Sequence, residues 1–181
     1  MIFLKKKPKI ISIIVNIIIR KFFTFMDKIR WNAYYKSIVP NFKVFGKSVV
    51  IDYGVQFGSP QNISIGNNVF IGKNVNINAG KGGSIVVKDN VAIGSYSSII
   101  TWNLNNLNNR SLIRSVNNNV FKDVEIGIGV GIGYNVTINP GVILGDGCEI
   151  AAGSVITRDV PPFAIMAGSP AVIVGMRSSS N

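Results

Sequence analysis

The chain has no histidine, one cysteine (Cys148) and only eight acidic residues in 181. Without histidine, the commonest general base and a common metal ligand are both excluded. A single cysteine excludes an intrachain disulfide framework and a cysteine-based zinc cluster, and it favours a reducing compartment. Long apolar runs are missing too. The longest, residues 10–19, is interrupted by Ser12 and Asn16. As a helix it would extend about 15 Å, against roughly 30 Å of bilayer hydrocarbon, which is too short to cross. A basic start before an apolar run is the order of a secretory signal. Here, however, the run ends in Arg20, Lys21, Phe22 and Phe23, with no small-residue cleavage site.

Basic residues are abundant, and they are unevenly placed. Residues 1–47 hold eleven Lys or Arg and one acid, Asp27, whereas the remainder is close to neutral, within a net charge of +11. The excess belongs to an amino-terminal appendage. A nucleic-acid surface needs a basic groove with interleaved aromatics along the body, so no nucleic-acid partner is expected. Within the appendage, residues 1–43, Ser12, Asn16, Arg20 and Thr24 recur every fourth residue. On a helix they form one polar stripe, with isoleucine and phenylalanine over the rest. Lys5, Lys6, Lys7 and Lys9 precede the helix, and Trp31, Tyr34 and Tyr35 follow its apolar part. Two readings stand. Residues 1–36 lie in an anionic membrane surface, or the helix packs on the body or on a neighbouring subunit.

From Val44 the period changes. Phe45, Ile51 and Phe57 are six apart, as are Ile65, Ile71 and Ile77 after a slip of two, and Val87, Ile93 and Ile99 after an insertion of four. The cleanest run is Ile126, Ile132, Ile138, Leu144, Ile150 and Ile156. Small or medium residues sit four positions on, as at Val130, Val136, Cys148 and Ser154. Gly, Asn, Asp or Ala usually follows the aliphatic residue. A helix needs a 3.6-residue period, and alternating strands need a period of two. A period of six with turn-tolerant residues fits short strands joined by tight corners, three hexads to a triangular coil. Residues 44–160 then form an all-β column of roughly five coils, with residues 161–181 as a tail. The run Gly127 to Gly133 is glycine-rich, but no G-x-G-x-x-G phosphate loop can be drawn through it. It reads as repeat corners.

The segment NVTINPGVILGDGCEIAAGSVITRDVPPFAIMAGSPAVIV, residues 135–174, resembles the hexapeptide-repeat acyltransferases. It is most like O-acetyltransferases acting on sugars and bacterial polysaccharides. The resemblance implies a left-handed parallel β-helix, a homotrimer with active sites between subunits, and acetyl-CoA as acyl donor. It matches Ala152 and Thr157 to positions touching the cofactor's pantetheine arm and adenine end, and Arg158 to a basic position near its phosphates. Arg177 is displaced from the basic residue usual after AGSPA, where Val172 stands, and is a further cofactor candidate. Asn78 matches an active-site asparagine; its other reading is a corner residue that tolerates left-handed backbone. A tryptophan usual in the family is replaced by Gly131.

The family also places a histidine shortly after the equivalent of Ile99, to take a proton from the acceptor hydroxyl. Here Trp102, Asn103, Leu104 and Asn105 stand instead. An asparagine can orient a hydroxyl but cannot accept its proton, so Asn78 and Asn103 are orienting candidates and no general base is identified. Asp89, Asp123 and Glu125 lie near in sequence and read first as solvated corner residues. Residues 103–123 are expected to loop out of the column. Three outcomes stay open: a slow enzyme, an enzyme with a borrowed base, or an inactive binding or scaffolding protein. The leading expectation is an acetyl-CoA-dependent O-acyltransferase acting on a saccharide of a cell-surface polysaccharide. It would be cytoplasmic and peripheral on the inner face of the membrane, with no metal.

Overall fold

The computed structural model describes residues 9–104 and 119–178, in two compact units divided between Ser37 and Ile38. The first is a helix, α1 (Lys9–Ile38), of 30 residues. No glycine or proline interrupts it. It stops before Pro40, whose ring disfavours helical backbone at Val39. The helix thus runs about 45 Å and continues well beyond the run at residues 10–19.

The second unit is the column. Its first coil is β1 (Val44–Phe45), β2 (Val50–Ile51) and β3 (Gln56–Gly58), and its second β4 (Ile63–Ile65), β5 (Phe70–Ile71) and β6 (Asn76–Asn78). The third is β7 (Ile85–Val87), β8 (Ala92–Ile93) and β9 (Ser98–Ile100). A hairpin, β10 (Trp102–Leu104) and β11 (Asn119–Phe121), interrupts the winding. The fourth coil is β12 (Val124–Ile126), β13 (Gly131–Ile132) and β14 (Thr137–Ile138), and the fifth β15 (Ile143–Leu144), β16 (Glu149–Ile150) and β17 (Val155–Ile156). Last come β18 (Ala164–Gly168), parallel to β16, and β19 (Ala171–Met176), antiparallel to β18. Corresponding strands of successive coils pair in parallel, making three faces. This is the left-handed β-helix of hexapeptide repeats that the resemblance implied.

Register explains the period. Ile65 pairs with Val87, Val87 with Ile126, and Ile126 with Leu144, so each hexad aliphatic stacks on the one above. Ile65, Ile71, Ile77, Ile93, Ile99, Ile126 and Ile138 are fully buried, and each such side chain contributes roughly 1.5–3 kcal/mol. Val69, Val75, Val91, Val130, Val136, Val142 and Cys148 fill the corners and are buried too. At the first coil, where no coil lies above, the Phe42 ring packs against Phe45 at 5.2 Å and Phe57 at 4.9 Å.

The corners separate two demands that look alike in the sequence. On the second and third faces the backbone is left-handed three residues before the aliphatic, as at Asn68, Asn74, Asn90, Gly129 and Asn135. Asparagine and glycine tolerate that region best. Directly after the aliphatic the backbone is ordinary but the next coil presses close. A Cβ on Gly94 would lie 2.5 Å from the backbone of Gly133, and one on Gly133 would lie 2.6 Å from Ala152 N. In the glycine run, therefore, Gly129 is the left-handed corner. Gly127 and Gly133 open their corners in ordinary backbone, so the repeat-corner reading stands and the close approach of the next coil is what calls for glycine there.

Side chains also rung the coils together. The Asn67 side chain accepts from Lys47 N at 2.9 Å, Asp89 from Asn67 N at 2.7 Å, and Asp146 from Ile128 N at 2.8 Å. These bonds satisfy corner N–H groups that have no ladder partner.

Candidate active site

The winding breaks at the corner between the third and first faces. Between β6 and β7 the extra residues include Gly80, Gly82 and Gly83, and one coil later the hairpin leaves from the same corner. The two insertions touch. Trp102 pairs with Phe121 across the hairpin. A Cβ on Gly80 would meet Phe121 at 2.7 Å and Trp102 at 3.1 Å; one on Gly82 would meet Phe121 at 2.9 Å. The Thr101 hydroxyl donates to Ala79 O, and Lys122 N donates to Thr101 O at 2.8 Å. The hairpin base is thus seated on a glycine ledge. Residues 103–123 leave the winding, and 103–104 and 119–121 pair as antiparallel strands at the base of that excursion. Residues 105–118 of that loop, Asn105 among them, lie outside the described residues.

Asn78 ends β6 at this corner. Its Oδ1 accepts from Gly80 N at 3.0 Å, and its carbonyl accepts from Thr101 N at 3.2 Å. Asn78 itself is in extended strand, and the left-handed residue is Gly80. The left-handed reading of Asn78 is therefore corrected. With Oδ1 held by the backbone, the amide orientation is set and Nδ2 is the group able to donate outward. Asn103 is exposed and pairs with Val120 in the hairpin. Neither asparagine is a base.

The three nearby carboxylates do not converge. Asp89 lies at the corner between the first and second faces, and the Asn67 backbone N–H, then its side chain, hold the carboxyl below the usual range. Glu125, on the outer side of β12, pairs with Lys88 at 2.6 Å; that hydrogen bond and the Glu125 charge raise the lysine pKa. Asp123 accepts from Ser84 N at 2.7 Å. Each makes a coil-to-coil tie.

The cofactor candidates divide among the corners. Thr157 and Arg158 are exposed at the Asn78 corner, on the fifth coil. Asn78 and Thr157 are three coils apart, about 14 Å at strand spacing. Ala152 is exposed at the corner between the second and third faces. Arg177 lies at the remaining corner, where its guanidinium donates to Gly147 O at 3.1 Å. There it borders a cleft of about 410 Å³ with Ile128, Asp146 and Phe163. One chain brings Asn78, Asn103, Thr157 and Arg158 to one edge and leaves Ala152 and Arg177 on the other two.

Sequence reasoning missed Asn139. It follows Ile138 as Asn78 follows Ile77, and its N–H donates to Ile156 O at 3.0 Å. The shared phase of NINAG and TINPG was the available signal. It places Asn78, Ile100, Asn139 and Thr157 in one outward column. No group of three His, Cys, Asp or Glu able to hold a metal ion occurs among the described residues.

The family described as bacterial transferase hexapeptide (six repeats) matches residues 123–158. Galactoside O-acetyltransferase of Escherichia coli (strain K12) is 31% identical over 133 residues, covering 74% of this chain and 63% of that protein. The chain therefore spans less than two thirds of that relative's length. Among solved structures, a hexapeptide-repeat acetyltransferase of Vibrio cholerae complexed with acetyl coenzyme A superposes with a TM-score of 0.70. It is 31% identical, over 78% of this chain and 75% of that one. A galactoside acetyltransferase in complex with coenzyme A gives a TM-score of 0.69 at 29% identity, over 77% and 67%.

Proposed function

Because the chain belongs to the hexapeptide-repeat acetyltransferase family, we propose that it is an acetyl-CoA-dependent O-acetyltransferase. Its acceptor is a sugar hydroxyl in a cell-surface polysaccharide precursor. The observation that carries the reading is the likeness over three quarters of both chains to a structure holding acetyl coenzyme A. We place the reaction in the cytoplasm, peripheral on the inner face of the membrane.

The residues fit the donor. A Cβ on Gly153, beside Ala152, would meet nothing within 4 Å, so a slender chain has room there. Arg158 offers an exposed guanidinium suited to phosphate. Ala152, Arg158 and Arg177 occupy three different corners, which one ligand can touch only where copies of the chain adjoin. This supports a homotrimer with sites between subunits. Bound there, the thioester supplies an activated acyl carbon. Asn78 Nδ2, fixed through Oδ1 and Gly80 N, holds the acceptor hydroxyl or the developing oxyanion. Asn103 orients the acceptor from the hairpin. Proximity and such donors survive the loss of a base, which costs about 10²- to 10⁴-fold.

A specific observation supports a second reading, an inactive binding or scaffolding protein: the chain has no histidine, and the resemblance sets Trp102, Asn103 and Leu104 where a catalytic one would stand. Thiol release from acetyl-CoA with a panel of saccharides, beside calorimetry with acetyl-CoA, separates the two. Binding with slow turnover supports the enzyme. Binding without turnover, and a gain of activity in Asn103→His, identifies a site that has lost only its base. Absence of acetyl-CoA binding removes the enzyme and leaves the scaffolding protein.

A further inference from the structure

Acyl transfer gives α1 no role, and its surface carries one. We propose that α1 docks flat on an anionic lipid surface, with the face of Val15, Ile18, Phe22, Phe25 and Ile29 in the lipid. The inference rests on the peripheral location proposed above and is independent of the chemistry of the column.

At roughly 100° per residue, these five side chains fall on one narrow face, with Ile19 and Met26 at its margin. Ile18 and Phe25 are each 61% exposed, and the other three are between 46% and 57% exposed. Water is a poor medium for such a face. Lys21 borders it on one side and Arg30 on the other, and both are exposed. Asp27, the helix's only acid, lies on the opposite side. Trp31 and Tyr34 also lie away from the apolar face, with ring centroids 5.3 Å apart; the apolar anchors are therefore aliphatic residues and phenylalanines. Among the described residues no helix is long and apolar enough to cross a membrane, whereas the face from Val15 to Ile29 covers about 21 Å lying flat.

The same residues are spaced as a coiled-coil seam, so a second copy of the helix is the rival occupant. Charge decides between them. A coiled coil sets acids against bases beside its seam. Here the charges that flank the seam, Lys21 on one side and Arg30 on the other, are both basic, and Asp27, on the opposite side of the helix, offers neither an acidic partner. An anionic surface turns both into attraction.

The test is co-sedimentation of the full-length protein with vesicles of phosphatidylcholine, alone or mixed with phosphatidylglycerol. Affinity is expected to be at least tenfold higher for the mixed vesicles, at about fivefold per cation. It should fall as salt rises from about 0.1 M to about 1 M and the screening length shrinks from about 10 Å to about 3 Å. Lys21→Gln with Arg30→Gln should cost about 25-fold on mixed vesicles, and Phe22→Glu with Phe25→Glu should remove binding. A thermal melt of each variant checks that the column still folds. Binding indifferent to lipid charge and salt, or none, overturns the proposal. So does a lipid-free assembly by light scattering that the phenylalanine variant dissociates, since the seam would then bind its own copy. Turnover is not read, so lipid binding without acetyl transfer still supports this role, and transfer without lipid binding refutes it alone.

Discussion

The two kinds of glycine rank the same two substitutions, alanine and asparagine, in opposite order, and the coil geometry gives the sizes. At Gly129, φ is +68° and a Cβ would meet nothing within 4 Å. Alanine there bears only the left-handed backbone cost, roughly 1–2 kcal/mol. Asparagine fills the same station at residues 68, 74, 90 and 135, so Gly129→Asn should stay within about 0.5 kcal/mol of the parent, as a site without strain or burial does. At Gly94 the backbone is not left-handed, but a Cβ would press on Gly133 C and O at 2.5 Å and Ile132 O at 2.8 Å. Backbone atoms cannot swing aside, and these are held in a ladder, since Gly94 N donates to Ile132 O at 2.7 Å. Gly94→Ala should cost at least the 1–3 kcal/mol typical of overpacking, and Gly94→Asn more, because the larger residue cannot rotate out. Urea unfolding of the four variants, read by the shift of midpoint at constant slope, ranks them. If Gly94→Asn is tolerated as well as Gly129→Asn, the distinction between crowding and handedness is wrong.

Other expectations follow from individual groups. Cys148 is buried and its thiol is pushed up to about 11 by that burial; a thiol reagent at pH 8 should leave it unmodified until denaturant opens the column, and rapid native labelling would contradict this. Asp89 has a lowered folded pKa against an ordinary 3.8. Its contribution to stability is present above that value and lost as pH falls through the lower folded one, so melting temperatures of Asp89→Asn and parent should converge as pH is taken from neutral to below the ordinary value and through the folded one. Divergence there would refute the assignment. Arg158→Ala should weaken acetyl-CoA binding about 10- to 100-fold by calorimetry, the worth of a charge-assisted hydrogen bond; an unchanged constant would remove Arg158 from the site.

The column was legible before any coordinates because its rule is local and repeated. One aliphatic residue every sixth position must face a prism too narrow for anything but the aliphatic residue of the next coil, so Ile126 to Ile156 announce both the strands and their register. The resemblance in residues 135–174 added handedness and a cofactor on the same grounds, since contiguous residues make that motif. What the sequence left open depends on residues distant in the chain. Asn78 stacked under Thr101 N, and Phe121 and Trp102 seated on Gly80 and Gly82, required the fold to bring residues about 20 to 40 apart onto one corner. The division of Ala152, Arg158 and Arg177 among three corners was equally invisible, because phase around a triangular coil is a property of the winding, and a pattern that marks six residues does not mark which of three edges they turn. The residue pattern thus dictates the shape, because burial acts within each hexad; which polar groups meet at an edge is decided by stacking across coils.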